Sequence, residues 1–452
     1  MTGRMEGDNA DFLGVSTDSR GVRAGELFFA LRGEHFDGHD FVAEAGHRGA
    51  VAVVVDAAGA EALRGAVELP RIVVGDTRLA LGELAAHWRA RFTLPVIGVT
   101  GSNGKTTSKE MIGRILRVSF GERAVLVTPG NLNNDIGLPL TLLGLGEDHR
   151  AAVIEMGMSH PGEIAALARI CRPTVALVTN AQRAHLAGLG SLDQVAAEKG
   201  GIFSGLDEDG VAVFDADGPW AEVWRALSAH CRRRCFSLGG TADVSGQSRT
   251  RGLENHLSIE VDGERMEVDL ALPGAHNARN ALGAVTAALA AGAPLLAVRL
   301  GLADFRGLGG RLQRRVGQRG AVVLDDTYNA NPDSVRAGID VLAATVGRKI
   351  LVLGDMGEIG EMSGQFHDEI GGYAKSQGID RLLAFGESSA LAAKNFGVGG
   401  EHFRKLEGIV AALLAELTPE TIVLVKGSRF MRMERVIDAI TVAPERESPP
   451  CC

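Results

Sequence analysis

Short apolar runs alternate with segments of helical spacing along most of the chain. Val96-Ile97-Gly98-Val99-Thr100 is one such run, and residues 151–155, 174–179 and 211–215 repeat it with room for helices between. A strand without polar alternation suits a sheet covered on both faces, so these four runs predict a parallel α/β sheet. Upstream, residues 26–31, 50–55 and 71–74 are strand-like and residues 79–92 helix-like, which predicts a small mixed unit ending near Thr93. Beyond the glycine-rich hinge Gly307-Leu308-Gly309-Gly310, a third series of strands is expected at residues 321–324, 349–353, 381–385 and 421–425. The expected domains are therefore 1–94, 95–310 and 311–452. The uncharged stretch 281–298 is mostly Ala and Gly and contains Pro294, so it predicts two core helices broken near Gly292-Ala293-Pro294 rather than a membrane span.

Composition fits this division. A chain of 452 residues exceeds one ordinary core and suggests about three domains. The formal net charge of −9 offers no basic stripe for a phosphate backbone, so no nucleic-acid partner is expected, and Arg232-Arg233-Arg234 reads as a solvated face. Cys171, Cys231, Cys235, Cys451 and Cys452 have neither disulfide-framework nor paired zinc-ligand spacing, which fits a reducing cytoplasm. Residues 1–11 are polar and acidic rather than basic then apolar, so secretion is not expected. Nothing requires an oligomer, and a monomer is the expectation.

The chemistry concentrates where the first central strand ends. Gly101-Ser102-Asn103-Gly104-Lys105-Thr106-Thr107 joins an apolar strand to a segment of helical spacing, the context of a nucleotide phosphate cradle. Backbone N–H groups and the helix N-terminus would face the phosphates, and Gly101 and Gly104 would let the backbone approach them. Lys105 would bring a charge to the terminal phosphates, and the Thr106 hydroxyl can ligate Mg2+. The loop is a variant, because Val99 stands where the usual pattern has its first glycine. Ligands of open parallel sheets bind beyond the strands' carboxyl ends. There Glu155 could join Thr106 on the ion, while His185 and Lys199 follow the 174–179 run. No Asn-Lys pair occurs, which removes the guanine reader of a GTPase switch.

In this context the residues Thr100 to Thr107, Glu155, the run Asn180-Ala181-Gln182-Arg183-Ala184-His185-Leu186 and Glu198-Lys199-Gly200 resemble the Mur ligases, the ATP-dependent family that builds the cell-wall peptide stem. The resemblance spans nearly the whole chain and accounts for Val99, since the family has this variant loop. It implies an α/β fold in three domains: a small mixed N-terminal domain, a central P-loop parallel-sheet ATPase domain and a C-terminal Rossmann-like α/β domain. It further implies ATP, two Mg2+ ions, a histidine ligand at His185 and a carbamylated Lys199, which would turn an ammonium into a carboxylate-like ligand. Asn277 and Asn280, in Pro273-Gly274-Ala275-His276-Asn277-Ala278-Arg279-Asn280, resemble the family's adenine-side motif, although helix capping is an equally simple role. Arg311 resembles the arginine that reaches the γ-phosphate and Asp326 the ribose-binding acid, so the third domain would close over the second and exclude water.

Within the family, Tyr328-Asn329-Ala330-Asn331-Pro332-Asp333-Ser334 and Leu353-Gly354-Asp355-Met356-Gly357-Glu358 resemble the branch that adds D-alanyl-D-alanine to UDP-N-acetylmuramoyl-tripeptide. Ser16-Thr17-Asp18-Ser19-Arg20 resembles its uridine-nucleotide domain, and Thr128-Pro129-Gly130-Asn131-Leu132-Asn133-Asn134 its central loop near the nucleotide-sugar peptide. The substrate-binding residues this implies are Ser19, Arg20, Asn133, Asn134, Asn329 and Asn331. The alternative is another amino-acid-adding Mur ligase or a folylpolyglutamate-synthase-like ligase, which would share the ATP core.

Overall fold

The computed structural model describes residues 3–66, 68–184 and 186–442 and contains three sheets. The first holds β1 (Gly3–Glu6), β2 (Gly14–Ser16), β3 (Glu26–Phe29), β4 (Ala52–Asp56) and β5 (Arg71–Val74). Its order is β1-β5-β4-β3-β2, parallel except for β1 against β5. β3 and β4 are apolar because both faces are covered: Phe28, Val53 and Val55 enter one cluster, and Leu27, Phe29 and Val54 the other. The helix Thr77–Arg89, capped by the Asp76 side chain at the Arg78 and Leu79 N–H groups, leads to the second unit.

The central sheet comprises β6 (Val96–Thr100), β7 (Val125–Val127), β8 (Ala151–Glu155), β9 (Val175–Val178), β10 (Val211–Asp215), β11 (Arg232–Leu238), β12 (Val244–Arg251), β13 (Glu254–Val261) and β14 (Glu264–Leu270). Its order is β14-β13-β12-β11-β10-β9-β6-β8-β7. From β7 to β12 it is parallel, and β12, β13 and β14 extend it as an antiparallel meander. The four strands expected of the sequence are parallel, and the meander adds to them strands that the apolar runs did not announce. The cores explain the apolar runs: Ile97, Val99, Val153 and Leu177 pack beneath the helices Lys105–Phe120 and Ala275–Ala290, while Val96, Ile154, Val178 and Phe214 pack on the opposite face. The stretch around Pro294 divides the helices Ala275–Ala290 and Leu295–Ala303, as expected.

The third sheet holds β15 (Gln313–Val316), β16 (Val322–Asp326), β17 (Arg348–Gly354), β18 (Arg381–Phe385), β19 (Gly400–Phe403) and β20 (Thr421–Lys426), in the order β15-β16-β20-β17-β18-β19. Only β15 runs antiparallel. Cys171, Cys231 and Cys235 are free thiols, and Cys451 and Cys452 lie outside the described residues. Among the described residues no helix is long and apolar enough to cross a membrane.

Candidate active site

Strand order assembles the site. β6 lies between β8 and β9, so the loop leaving β6 is flanked by Glu155 at the end of β8 and Thr179-Asn180 after β9. Gly101 has φ 145°, and a Cβ there would overlap the Thr179 hydroxyl; Gly104 has φ 79°, and a Cβ would overlap the Asn280 amide. Both positions therefore require glycine. Asn180 clamps the loop: its Oδ1 accepts from Asn103 N at 2.9 Å, and its Nδ2 donates to Asn103 O at 2.9 Å. Lys105 opens the helix and donates from Nζ to the carbonyls of Gly101 (2.7 Å) and Ser102 (3.1 Å). Burial pushes its ammonium below the usual lysine range, opposed by Glu155 and Glu358 and assisted by Arg311.

A cavity of about 1350 Å3 opens over this loop and draws on all three units. Ser102, Asn103, Gly104, Lys105, Thr106 and Thr107 form its floor. Asn133, Asn134 and Glu155 line one side, Asn277 and Asn280 another, and Arg311, Asp326, Asn329 and Asn331 come from the third unit. Gly101 supports the loop without lining the cavity, and Lys199 stands behind the wall, fully buried. Ser19 and Arg20 lie elsewhere: the Ser19 hydroxyl donates to Glu44 at 3.0 Å, and Arg20 pairs with Asp18 at 2.7 Å. His185 lies outside the described residues.

Glu155 is 1 % exposed. Its Oε1 accepts from Asn133 Nδ2 at 2.8 Å, and its Oε2 has no hydrogen-bond partner and lies 3.8 Å from Lys109 Nζ. A buried carboxylate oxygen left open at a phosphate loop suits a hard cation. Lys199 Nζ is also buried without a partner, and burial, reinforced by Lys105, holds its pKa well below the ordinary lysine range. Among the described residues no three His, Cys, Asp or Glu side chains cluster as a ready-made metal site. The oxygen ligands the site offers a cation are therefore the Glu155 carboxylate and the Thr106 hydroxyl.

Several neighbours were not evident from the sequence. Arg311 Nη2 donates to Thr106 Oγ1 at 3.0 Å, and its guanidinium lies 4.1 Å from the Tyr328 ring centroid. Asn103 and Asn331 exchange amide hydrogen bonds across the two units at 2.8 and 3.2 Å. Arg183 pairs with Asp333 at 2.7 Å. Asp326 faces Lys426 Nζ at 2.7 Å, because β16 and β20 are adjacent and these residues share a register position. Asn277 and Asn280 are tied locally: Asn277 Nδ2 donates to Pro273 O at 2.9 Å and Asn280 Nδ2 to Asn277 Oδ1 at 3.3 Å. Asn331 caps the helix Pro332–Ala343 through its side-chain oxygen, and Asn134 Oδ1 accepts from Gly137 N at 2.8 Å where the helix Gly137–Leu143 begins. One missed neighbour carried a signal: Lys109 shares the helix face of Ile112 and Leu116.

Family models match in three places: "Mur ligase family, catalytic domain" over residues 11–89, "Mur ligase middle domain" over 99–288 and "Mur ligase, glutamate ligase domain" over 310–429. A relative from Escherichia coli strain K12, named UDP-N-acetylmuramoyl-tripeptide--D-alanyl-D-alanine ligase, is 40% identical over 446 residues, covering 97% of this chain and 96% of the relative. The chain belongs to the Mur ligase family. The fold of this Mur ligase agrees with a crystal structure of MurF from Acinetobacter baumannii at TM-score 0.87 and 35% identity, covering 94% of this chain and 92% of that one. It also resembles MurF ligase from Thermotoga maritima in complex with ADP, at TM-score 0.82 and 29% identity, with 94% and 96% covered.

Proposed function

We propose that this Mur ligase joins D-alanyl-D-alanine to UDP-N-acetylmuramoyl-tripeptide with ATP as energy source, a step in peptidoglycan precursor synthesis. One observation carries the reading beyond the family resemblance: a single cavity brings the phosphate loop and Glu155 together with Arg311, Asn329 and Asn331 of the third unit. In the first step the acceptor's terminal carboxylate attacks the γ-phosphorus of ATP and ADP leaves. In the second the dipeptide amine attacks the acyl phosphate carbon, loses its proton, and expels phosphate as the peptide bond forms. A carboxylate approaching a polyanion meets strong repulsion, so Lys105 and Arg311 act by neutralising charge where it develops. The protein supplies no covalent nucleophile.

The Glu155 carboxylate and the Thr106 hydroxyl would hold one Mg2+, and the resemblance gives His185 and a carbamylated Lys199 to a second; the ions would screen the phosphate oxygens. Lys199 suits carbamylation, because a buried amine that sheds its proton readily can add its lone pair to CO2, losing a proton and gaining a carboxylate-like end. Asn277 and Asn280 are assigned to the adenine side and Asp326 to the ribose. Ser19 and Arg20 take the uridine nucleotide, Asn133 and Asn134 the acceptor peptide, and Asn329 and Asn331 the incoming dipeptide. Residues 1–94 thus bind the UDP-sugar, 95–310 bind ATP, and 311–452 bind the dipeptide and close. A cavity completed within one chain supports a monomer as the working form, and use of ATP with a nucleotide-linked acceptor supports a cytoplasmic site. The test is ATP-dependent phosphate release, with each acceptor and amine supplied separately.

A further inference from the structure

Lys109 stands one turn beyond Lys105 on the helix Lys105–Phe120, on the inward face with Ile112 and Leu116. Its side chain is 0 % exposed, a position lysine rarely takes unless paired. Nζ donates to Thr128 O at 2.8 Å and Gly130 O at 3.2 Å, and it meets Glu110 Oε1 at 3.0 Å. Three donors meet three oxygens, which leaves Glu155 Oε2 beyond hydrogen-bond range at 3.8 Å. Thr128 and Gly130 begin the segment 128–134, whose other end is tied to β8. There Asn133 Nδ2 donates to Glu155 Oε1 at 2.8 Å, and Gly157 N donates to Asn133 O at 2.8 Å. Thr128 is itself bonded to β8, its N donating to Val153 O at 3.0 Å and its Oγ1 accepting from Glu155 N at 2.9 Å, but beyond it the segment belongs to no helix or strand, and the Lys109 bond to Gly130 and the Asn133 ties hold it over the cavity.

We infer that Lys109 is a positioning residue that fastens segment 128–134 to the phosphate-loop helix and so couples nucleotide binding to acceptor binding. The coupling rests on the proposed acceptor role of Asn133 and Asn134; the fastening does not. Its physical basis is direct. The first turn of the helix carries Lys105 and Thr106 toward the nucleotide, and the next turn carries the amine that grips the Thr128 and Gly130 carbonyls. A bound nucleotide that steadies the first turn steadies the segment, and by linkage an acceptor on the segment tightens nucleotide binding by the same factor. Glu110, a quarter exposed, holds Nζ from the outer side.

Lys109→Met keeps the length of the side chain and removes its donors. Followed by hydrogen exchange and mass spectrometry on the full chain, amides of 128–134 should exchange about tenfold faster while the other two sheets are unchanged, the scale expected for lost hydrogen bonds in a local opening. The KM for UDP-N-acetylmuramoyl-tripeptide should rise about tenfold, with the KM for D-alanyl-D-alanine within about twofold of wild type. Unchanged exchange in the segment, or faster exchange throughout the central sheet, would overturn the inference. Faster exchange confined to the segment with an unchanged acceptor KM would remove the acceptor role of the segment and the coupling with it. If the variant does not fold, the wild-type protein decides: a non-hydrolysable ATP analogue with Mg2+ should slow exchange in 128–134 before any acceptor is added, and no slowing would overturn the coupling. This arm needs no turnover, so it separates failure of the inference from failure of the proposed ligation.

Discussion

Arg183→Ala tests whether the third unit must be held against the second for catalysis. Arg183 leaves the central sheet just after β9 and reaches Asp333 in the first turn of the helix Pro332–Ala343, with Nε at 3.0 Å and Nη2 at 2.7 Å from Oδ1. Its backbone N donates to Asp333 Oδ2 at 2.7 Å, Glu369 lies 3.3 Å from Nη1, and the guanidinium sits 5.3 Å from the Phe366 ring centroid. The pair is about a fifth exposed on each side, between the solvated ion pairs that contribute little and the buried ones whose disruption is severe. Charge-assisted bonds in that range imply a coupling of about 1–2 kcal/mol. If this energy holds the units closed, its loss lowers the fraction of binding-competent protein. The KM values for ATP and D-alanyl-D-alanine should then rise together, by roughly 5–30-fold. A double-mutant cycle with Asp333→Ala reads the coupling directly. Additivity of the two changes within about 0.5 kcal/mol, or unchanged KM values, would refute the latch.

Three further outcomes follow from the same geometry. Lys105→Ala should reduce ligation by about a thousandfold or more while thermal unfolding stays near wild type, since the helix is held by its buried face, with Met111, Ile112, Ile115 and Leu116, rather than by this ammonium. Lys199→Ala should lose activity and regain part of it with acetate or formate, read as phosphate release against carboxylate concentration; lack of rescue argues against the carbamate. Burial, aided by Lys426 and opposed by Asp326, holds His276 at about 4, below its ordinary 6.5. The folded state therefore binds fewer protons than the unfolded chain between these values, so the stability contribution is complete above pH 6.5 and is lost as pH falls toward 4. His276→Gln should flatten the acid limb of urea unfolding measured across this range.

The parallel strands were legible because both faces of β6, β8, β9 and β10 are buried, which leaves continuous apolar runs. β13 differs from them because only one of its faces is buried: Leu257, Ile259 and Val261 alternate with Ser258 and Glu260 instead of forming a continuous apolar run, and Asn255 continues the inward face, its amide donating to Leu272 O and Gly274 O. Arg232-Arg233-Arg234 reads correctly as largely solvated, yet it opens β11 at the end away from the core. In the site, the phosphate loop and Glu155 followed from strand ends and oxygen chemistry. Asn103 with Asn331, Arg183 with Asp333, and Asp326 with Lys426 did not, because each partner lies 100 or more residues away and only sheet order or domain contact brings it near. Lys109 was visible as a lysine on an apolar helix face beside Glu110, but only the fold brings the Thr128 and Gly130 carbonyls to it.

The central claim is tested most directly by phosphate release from ATP and Mg2+ with UDP-N-acetylmuramoyl-tripeptide, comparing D-alanyl-D-alanine with free diaminopimelate, lysine and glutamate. The account predicts turnover with the dipeptide alone. Turnover with a single amino acid instead, on this or a shorter nucleotide precursor, would contradict it and assign the same ATP site to a sister ligase.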